Sequence, residues 1–593
     1  MCGIVGYTGR RDCQPILLNC LGKLEYRGYD SCGLAILNDK ITITKDAVRV
    51  RELEKVMPRQ EGRTGIGHTR WATHGERSQI NAHPHADCSG RIAVVHNGVI
   101  NNFQALRDSL AREGHTIVSQ TDTEVIPHLI EKYYEGNFIL AVERALQDLD
   151  GAFTMIAVME GESGLVATRK DSPLIVGIGD RENFLASDVP ALLDYTNRVV
   201  YLEDGDIVHL TPHMVTIRRD GASVSPTVDQ VSWSVEDAQK GGYEHFMLKE
   251  IHEQPKVIRD TLAEYIAGGS DGLLGRSGSD GIEDVVILAC GTSYHAGLLG
   301  KYIFEDLTKV PVRVEIADEF IYSGRVTPRN RAIAITQSGE TLDVLKAVRK
   351  LKESDCKVVG ITNVVGSTIS RVVDRVMYTR AGPEISVAAT KTFIAELIAL
   401  YWLAMPYAKV EPSRREELLR ELRQLPSKVQ QVLDNEAQIA EAAVSVARFE
   451  NAFFIGKGLN YPAALEGALK LKEISYLHAE GYAAGELKHG PFALLGENTP
   501  VVAIITPDNT YEAMVTSLKE IKARHSPVLA LAPEGDVDVN ALADYVIPVP
   551  KIDNLFTPVI NSVVLQLLAY YTARERGCPI DFPRNLAKSV TVE

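Results

Sequence analysis

The sequence predicts a multi-domain protein of two fold classes. An α+β part rich in antiparallel sheet comes first, and two α/β units on doubly wound parallel sheets follow. Three observations carry this reading. Up to residue 232, short apolar runs alternate with turn residues, and helical stretches interrupt only twice. From Glu244 the order becomes apolar strand, glycine or hydroxyl loop, then helix. That second order occurs twice, which indicates an internal duplication. At roughly 150 residues per domain, 593 residues allow three or four folding units.

In the first part the strand runs are Ile92–Val95, Phe153–Val158, Leu174–Gly177, Val199–Leu202 and Met214–Ile217, with turns such as Glu203–Asp206 between them. Helices are predicted over Asn102–Glu113 and Thr123–Tyr134, the latter behind a cap-like Asp122. Residues Asp229–Gly242 are polar with little period and read as the linker between the two halves. Val285–Cys290, Ala332–Thr336 and Val358–Asn363 are strands buried on both faces, which parallel sheets require. Ala452–Gly458, Val501–Thr506 and Val528–Ala532 repeat the series. Between the repeats, Ser413–Ala447 is charged and helical, with a break expected at Pro426. The predicted domains are therefore 2–232, a linker at 233–245, 246–412, a helical connector at 413–447, 448–582 and a C-terminal tail at 583–593.

Composition narrows the function classes. Hydrophobic residues make up 45% and charged residues 24%, ordinary for a globular chain and unlike a disordered or fibrous one. Lys and Arg total 63 against 78 Asp and Glu, a net charge of −15, so nucleic acid and anionic membranes are not expected partners. The eight cysteines form no CxxC pair and suit a reducing cytoplasm. The first residues have no signal-peptide pattern. The longest apolar run noted, Leu397–Ala408, falls short of the roughly 18 residues of a membrane span.

Cys2 is the sharpest chemical feature. Removal of Met1 would put a thiol and a free α-amine on one residue, and an α-amine of pKa about 7.7–8.0 can act as base at neutral pH. Around it stand Cys2-Gly-Ile-Val-Gly-Tyr, Leu24-Glu-Tyr-Arg-Gly-Tyr-Asp-Ser, Gly67-His-Thr-Arg-Trp-Ala-Thr-His-Gly, Val95-His-Asn-Gly and Gln120-Thr-Asp-Thr-Glu. These blocks, in this order, resemble the class II, N-terminal-nucleophile glutamine amidotransferases over about 230 residues.

The resemblance implies antiparallel sheets sandwiched by helices, and residue roles. Cys2 would attack the glutamine side-chain amide. The Asn97 side chain and the Gly98 N–H would hold the oxyanion, worth about 3–4 kcal/mol per donor. Arg70 would take the α-carboxylate and Asp122 the α-ammonium. Thr73 and His74 would lie in the binding loop, Arg27 would order the site, and Trp71 would gate an ammonia channel. Taken singly, Arg70 reads as a surface ion pair and Asp122 as a helix cap. His83, His85 and Cys88 look like three metal ligands, yet no fourth stands at a usual spacing, so no metal is expected there.

In the second part, Gly291-Thr-Ser and Gln337-Ser-Gly-Glu-Thr sit where a parallel strand gives way to a helix. Backbone N–H groups and hydroxyls at such a place suit a small anion. With the duplication, this resembles tandem sugar isomerase (SIS) domains. The blocks Ala464–Tyr476, Gly485–Pro491 and Pro583–Glu593 strengthen the resemblance. It implies amide-nitrogen transfer from L-glutamine to D-fructose 6-phosphate with isomerisation, in a homodimer, without metal, nucleotide or redox cofactor.

Within that reading, Lys588 would form a Schiff base with the C2 ketone. Glu473 would move the proton between C1 and C2, and His489, from a neighbouring subunit, would assist ring opening. Thr336, Gln337, Ser338 and Thr341 would hold the phosphate, and Thr292, Ser293, Val387 and Ala587 would line the sugar. Two departures stand out: Thr336 and Ala389 replace serines common in the family. Alternative readings are an isomerase or deaminase using free ammonia, and a non-enzymatic sugar-phosphate sensor. The intact Cys2, Arg70, Asn97 and Asp122 argue against the first. The lack of a basic helix-turn-helix candidate argues against the second.

Overall fold

The computed structural model of the chain describes residues 2–72, 74–231, 233, 239–268, 274 and 284–590. Among these residues the strands form four sheets. Contacts divide the chain into two units, Met1–Ala238 with Ala587–Glu593, and Gln239–Leu586. One division falls inside the expected linker and the other inside the expected tail.

The first unit carries an eight-stranded and a seven-stranded antiparallel sheet. In the first sheet, β1 (Gly3–Thr8) lies between the strand Asn183–Ala186 and β2 (Thr64–Arg70). In the second, β3 (Ile92–Ile100) pairs along its whole length with Gly151–Met159. Alternation along β3 decides what packs where. Ala93 and Val95 join Ile4, Ile66 and Ile156 in the core that both sheets line. Ile92 and Val94 turn to the opposite face and meet α1 (Val125–Tyr133) and the helix Phe138–Gln147. Each such fully buried aliphatic side chain contributes about 1.5–3 kcal/mol.

On the other sheet, Leu17 and Leu21 of the helix Cys13–Gly22 lie over Gly65 and Gly67 of β2. The result is helix, sheet, sheet, helix, as the resemblance implies, with the helices Cys13–Gly22, Val50–Val56 and Phe138–Gln147 additional to the two read from the sequence. β1 and β2 escape the apolar-run reading because of their glycines. A Cβ on Gly3 would come within 2.5 Å of Thr69 Oγ1, so close packing requires residues that weaken the strand signal. Asp229–Gln230, assigned to the linker, instead pairs with Arg198–Val199 as an edge strand.

The second unit holds two five-stranded parallel sheets. In the first, β4 (Val285–Ala289) lies between Val312–Ile316 and β5 (Arg331–Ile335), and Lys357–Thr362 and Arg375–Tyr378 continue outward. In the second, β6 (Asn451–Gly456) lies between His478–Ala483 and Val501–Ile504, and Val528–Pro533 and Tyr545–Val549 follow. Both sheets have the order 2-1-3-4-5, that of a doubly wound fold, so the duplication read from the sequence is a duplication of topology. α2 (Gly291–Thr308) follows β4, α3 (Leu342–Glu353) follows β5, and α4 (Asn460–Ser475) follows β6.

The connector differs from expectation. Helix Pro412–Asp434 runs straight through Pro426, and the break comes at Asn435 before Glu436–Val446. Proline withholds one backbone donor. Here Leu418, Leu422, Leu425, Val429 and Leu433 keep one apolar face on the core on both sides of it, so packing outweighs the lost bond. A long apolar helix, α5 (Thr557–Glu575), runs near the carboxyl end. It is long and apolar enough to pass as a membrane span, yet its apolar window is wholly buried inside the protein. It is the core helix of this unit, lying in the same apolar cluster as the helix Lys391–Ala404 that contains most of the Leu397–Ala408 run.

Candidate active site

Cys2 stands at the entrance of β1, the middle strand of its sheet. Its sulfur accepts a hydrogen bond from the Trp71 backbone N–H at 3.3 Å, and its thiol faces the Trp71 carbonyl at 3.6 Å. Its own carbonyl accepts from Asn97 Nδ2 at 3.0 Å and Arg27 Nε at 3.4 Å. Burial pushes the thiol pKa up, the Trp71 N–H and Arg70 oppose this, and Asp122 adds to it. Arg70 and Asp122 therefore lie close enough to Cys2 to shape its ionisation.

The orientation of Asn97 has a cause. His68 Nε2 lies 2.9 Å from the His96 carbonyl and 3.1 Å from Asn97 Oδ1. Burial lowers the His68 pKa to about 3, so the ring is neutral. The carbonyl needs a donor, which places the single N–H on Nε2 and directs Asn97 Oδ1 to it. The Asn97 NH2 is left facing Cys2. Gly98, next along β3, has φ +127°, and a Cβ there would lie 2.0 Å from the Ala152 carbonyl oxygen. Only glycine fits.

Arg27 pairs with Asp188 at 2.9 Å, and Tyr26 donates to the same carboxylate at 2.6 Å. Arg70 is buried at the end of β2, and its guanidinium gathers the binding loop. It donates to the carbonyls of His74, of Gly75 at 3.2 Å and of Glu76 at 3.3 Å. Asp30 supports the same segment by accepting from the Ala72 N–H at 2.9 Å. The Asp122 carboxylate accepts from the Ile100 N–H at 2.9 Å, and α1 starts three residues later behind Glu124. Asp122 therefore ties the loop to β3 and does not cap the helix. The His74 ring meets Phe103 edge-on at 5.6 Å. Thr73 lies outside the described residues.

His83, His85 and Cys88, set aside as a metal site on their spacing, turn to different partners. His83 Nε2 turns to Thr123 Oγ1 and His85 Nε2 to Thr121 Oγ1, while the Cys88 sulfur faces His115 and His128. His83 instead stacks on His68 with ring centroids 4.1 Å apart. Sequence reasoning missed His68, Asp30 and Asp188. The first two lie inside the quoted motif blocks, and nothing in the sequence marks Asp188.

In the second unit, the predicted hydroxyls gather at the carboxyl ends of adjacent parallel strands. Thr292 and Ser293 open α2 after β4. Thr336 to Thr341 join β5 to α3, and Thr336 Oγ1 lies 2.8 Å from Thr341 Oγ1. The Gln337 carbonyl accepts from the Asn363 N–H at 3.0 Å, and Ser338 Oγ accepts from the Glu340 N–H at 3.2 Å. Gly339 has φ +69°, and a Cβ on it would fall 2.1 Å from Ser367 Oγ, so the turn demands glycine. The Val387 N–H donates to the Asp581 carbonyl at 3.0 Å.

α4 brings three charged groups to the same place. Lys470 Nζ lies 2.7 Å from Glu473 Oε2 and 3.4 Å from Glu466 Oε1, and donates to Thr292 Oγ1 at 2.9 Å. Thr292 in turn donates to Glu466 at 3.1 Å, and His295 Nδ1 lies 2.7 Å from Glu466 Oε2. Burial lowers the Lys470 pKa, but the two carboxylates outweigh it and raise it to about 12. The first parallel domain thus supplies Thr292 and the second supplies Glu466, Lys470 and Glu473. The partners of Glu473 were missed, although charges at i, i+4 and i+7 on one face of a largely apolar helix are a legible signal. His489 is exposed at the end of the short turn Ala484–His489. Ala587 and Lys588 group with the first unit.

Comparison with known proteins adds the following. A glutamine amidotransferase domain profile matches residues 68–194, and an SIS domain profile matches residues 282–406 and 446–576. The chain is 48% identical over 618 aligned positions to glutamine–fructose-6-phosphate aminotransferase [isomerizing] of Methanosarcina acetivorans, covering all of both chains. It is 47% identical to the protein of the same name from Aquifex aeolicus, again over both full lengths. Among solved structures, the C-terminal domain of glucosamine-fructose-6-phosphate aminotransferase from Francisella tularensis superposes with TM-score 0.55 and 35% identity. That match covers 58% of this chain and 100% of that one.

Proposed function

The chain belongs to the glutamine–fructose-6-phosphate aminotransferase (isomerizing) family, and from that premise we infer how its two sites divide one reaction. It transfers the amide nitrogen of L-glutamine to D-fructose 6-phosphate, giving D-glucosamine 6-phosphate and L-glutamate.

We assign the first half-reaction to the residues around Cys2. With Met1 removed, the Cys2 amine would take the thiol proton and the thiolate would attack the glutamine Cδ. The resulting oxyanion would be met by Asn97 Nδ2 and the Gly98 N–H. Ammonia would leave, and water would hydrolyse the thioester to glutamate. Arg70 and Asp122 would grip the amino-acid end, with Thr73 and His74 in the loop that Arg70 gathers. Arg27, fixed by Asp188, holds the Cys2 backbone. Trp71, whose backbone touches the nucleophile, would gate ammonia passage.

For the second half, Thr336, Gln337, Ser338 and Thr341 would bind the phosphate at the strand ends, while Thr292, Ser293, Val387 and Ala587 would line the sugar. Lys588 would form the Schiff base at C2. Glu473, positioned by Lys470, would carry the proton from C1 to C2. Thr336 keeps the hydroxyl that phosphate binding uses. We take 2–232, 246–412 and 448–582 as the three domains, joined by 233–245 and 413–447, with 583–593 as the catalytic tail. His489 is exposed, and in the homodimer the resemblance implies it would assist ring opening in a neighbouring subunit's site. All eight cysteines are free, which fits a reducing cytoplasm.

The observation that carries the first site is the meeting of the Trp71 N–H with the Cys2 sulfur and of Asn97 and Arg27 with the Cys2 carbonyl. The test is incubation with fructose 6-phosphate and amide-15N glutamine, followed by mass spectrometry. Label in glucosamine 6-phosphate is the expected result. Labelled ammonia with no labelled amino sugar would defeat the assigned acceptor.

A further inference from the structure

Cys88, His115, His128 and Glu131 bring four metal-ligating atoms together outside the glutamine site, all within 4.8 Å of one another. Cys88 Sγ lies 3.7 Å from His115 Nδ1 and 3.5 Å from His128 Nδ1. Glu131 Oε2 lies 3.1 Å from His115 Nδ1 and 3.6 Å from His128 Nδ1. A tetrahedral zinc ion with Zn–S about 2.3 Å and Zn–N or Zn–O about 2.0–2.1 Å has S···N edges of about 3.6 Å and N···O edges of about 3.3 Å. These four edges scatter about those values, and the remaining two are no longer than 4.8 Å.

We propose that these four side chains form a closed structural site for one thiolate-preferring divalent cation, zinc first. The donor set of one sulfur, two imidazoles and one carboxylate selects zinc over magnesium or calcium. Four protein ligands leave no open position, so the ion is structural and takes no part in amide transfer. On binding, the Cys88 S–H bond breaks, the sulfur–metal bond forms, and the proton passes to water. The surroundings suit a thiolate: the Thr116 N–H points at the sulfur at 3.4 Å. His128 is buried, and its Nε2 lies 4.0 Å from Glu124 Oε1. Cys88 is exposed, which gives the ion a way in.

The ligands come from three places. Cys88 lies in the turn before β3, His115 in the loop after the helix Phe103–Arg112, and His128 and Glu131 one turn apart on α1. An ion there would fasten both ends of the 115–128 segment, which contains Asp122.

The test uses the untagged full-length chain. It is depleted of metal, titrated with cobalt(II), and read by visible and near-ultraviolet absorption. We expect one equivalent to give tetrahedral cobalt bands with a sulfur-to-cobalt charge-transfer band, displaced by one equivalent of zinc. Changing an outer partner of a metal typically costs 10–100-fold in affinity, so Cys88→Ser should cost at least about tenfold and remove the charge-transfer band. Cys578→Ser should leave both unchanged. If no thiolate–cobalt band develops, or if it survives Cys88→Ser, the proposal fails. Should Cys88→Ser not fold, X-ray absorption of the zinc-loaded native chain decides instead. A first shell with one sulfur and two imidazoles supports the site, and one of nitrogen and oxygen alone overturns it.

Discussion

Replacing Lys470 by methionine keeps the length of a buried side chain and removes its charge. The magnitude follows from its neighbours. Lys470 is 1% exposed and lies between Glu466 at 3.4 Å and Glu473 at 2.7 Å. Its pKa is raised from 10.5 to about 12, a preference for the charged form of about 2 kcal/mol at 1.36 kcal/mol per unit. The sign is that of a raised base: this stability is complete below pH 10.5 and is lost as pH rises through 12. Lys470→Met also leaves two carboxylates facing each other without their cation, a loss typically of about 3–5 kcal/mol. Over a unit of about 350 residues, at about 2.1 cal/mol/K per residue, that lowers its melting temperature by about 4–7 °C. Calorimetry of the full chain should show the shift in the sugar-phosphate unit, with the glutaminase transition unmoved. Amino-sugar formation should fall while glutamine hydrolysis continues. An unshifted transition together with full amino-sugar formation would refute the claim that Lys470 holds Glu466 and Glu473 in place.

Further tests follow from the same geometry. Cys2→Ala should reduce glutamine hydrolysis to background while fructose 6-phosphate isomerisation, followed by product analysis, persists. Gly98→Ala should cost about 1–3 kcal/mol from its φ alone, beyond the clash with Ala152, and glutaminase kcat should fall more than KM rises. Burial depresses the pKa of His68, His83, His85 and His96, His68 to about 3. The unfolded chain therefore binds more protons than the folded one below pH 6.5, and stability present above that value is lost as pH falls toward 3. Denaturation of the first unit between pH 6.5 and 4 should show stability falling with pH, with His68, His83 and His85 as the main contributors, and a flat profile would count against the neutral cluster. Thr341→Ala should raise KM for fructose 6-phosphate and leave glutaminase kinetics unchanged.

Some of this was legible before any coordinates. Val285–Cys290 and Ala452–Gly458 read as parallel strands because burial on both faces leaves an unbroken apolar run, and the matching 2-1-3-4-5 orders confirm the repeat. The central strands of the first unit did not read so easily. Gly3, Gly65 and Gly67 are there because neighbouring side chains leave no room for a Cβ, and glycine erases the alternation that marks a strand. At the first site the residue types were legible and their orientation was not. That Asn97 presents its NH2 toward Cys2 depends on the tautomer of His68, a contact across 29 positions. Pro426 misled because local propensity opposes a helix that the core maintains. Cys88 was grouped with its neighbours in sequence, whereas its neighbours in space come from 27 and 40 positions away.

α5 has a consequence for the making of the protein. It fills a core that already includes Met247 and extends to Ile580, and it packs on α4 and the helix Glu436–Val446, whose apolar faces therefore wait for a helix near the carboxyl end. At about 5–20 residues per second, the ribosome leaves those faces uncovered for on the order of ten seconds. The sheets of the first unit are complete by Gln230 and can assemble while the rest is still emerging. Stop codons or frameshifts in the last tenth of the message should therefore yield a folded, glutamine-hydrolysing part tethered to a chaperone-bound remainder, not a shortened aminotransferase.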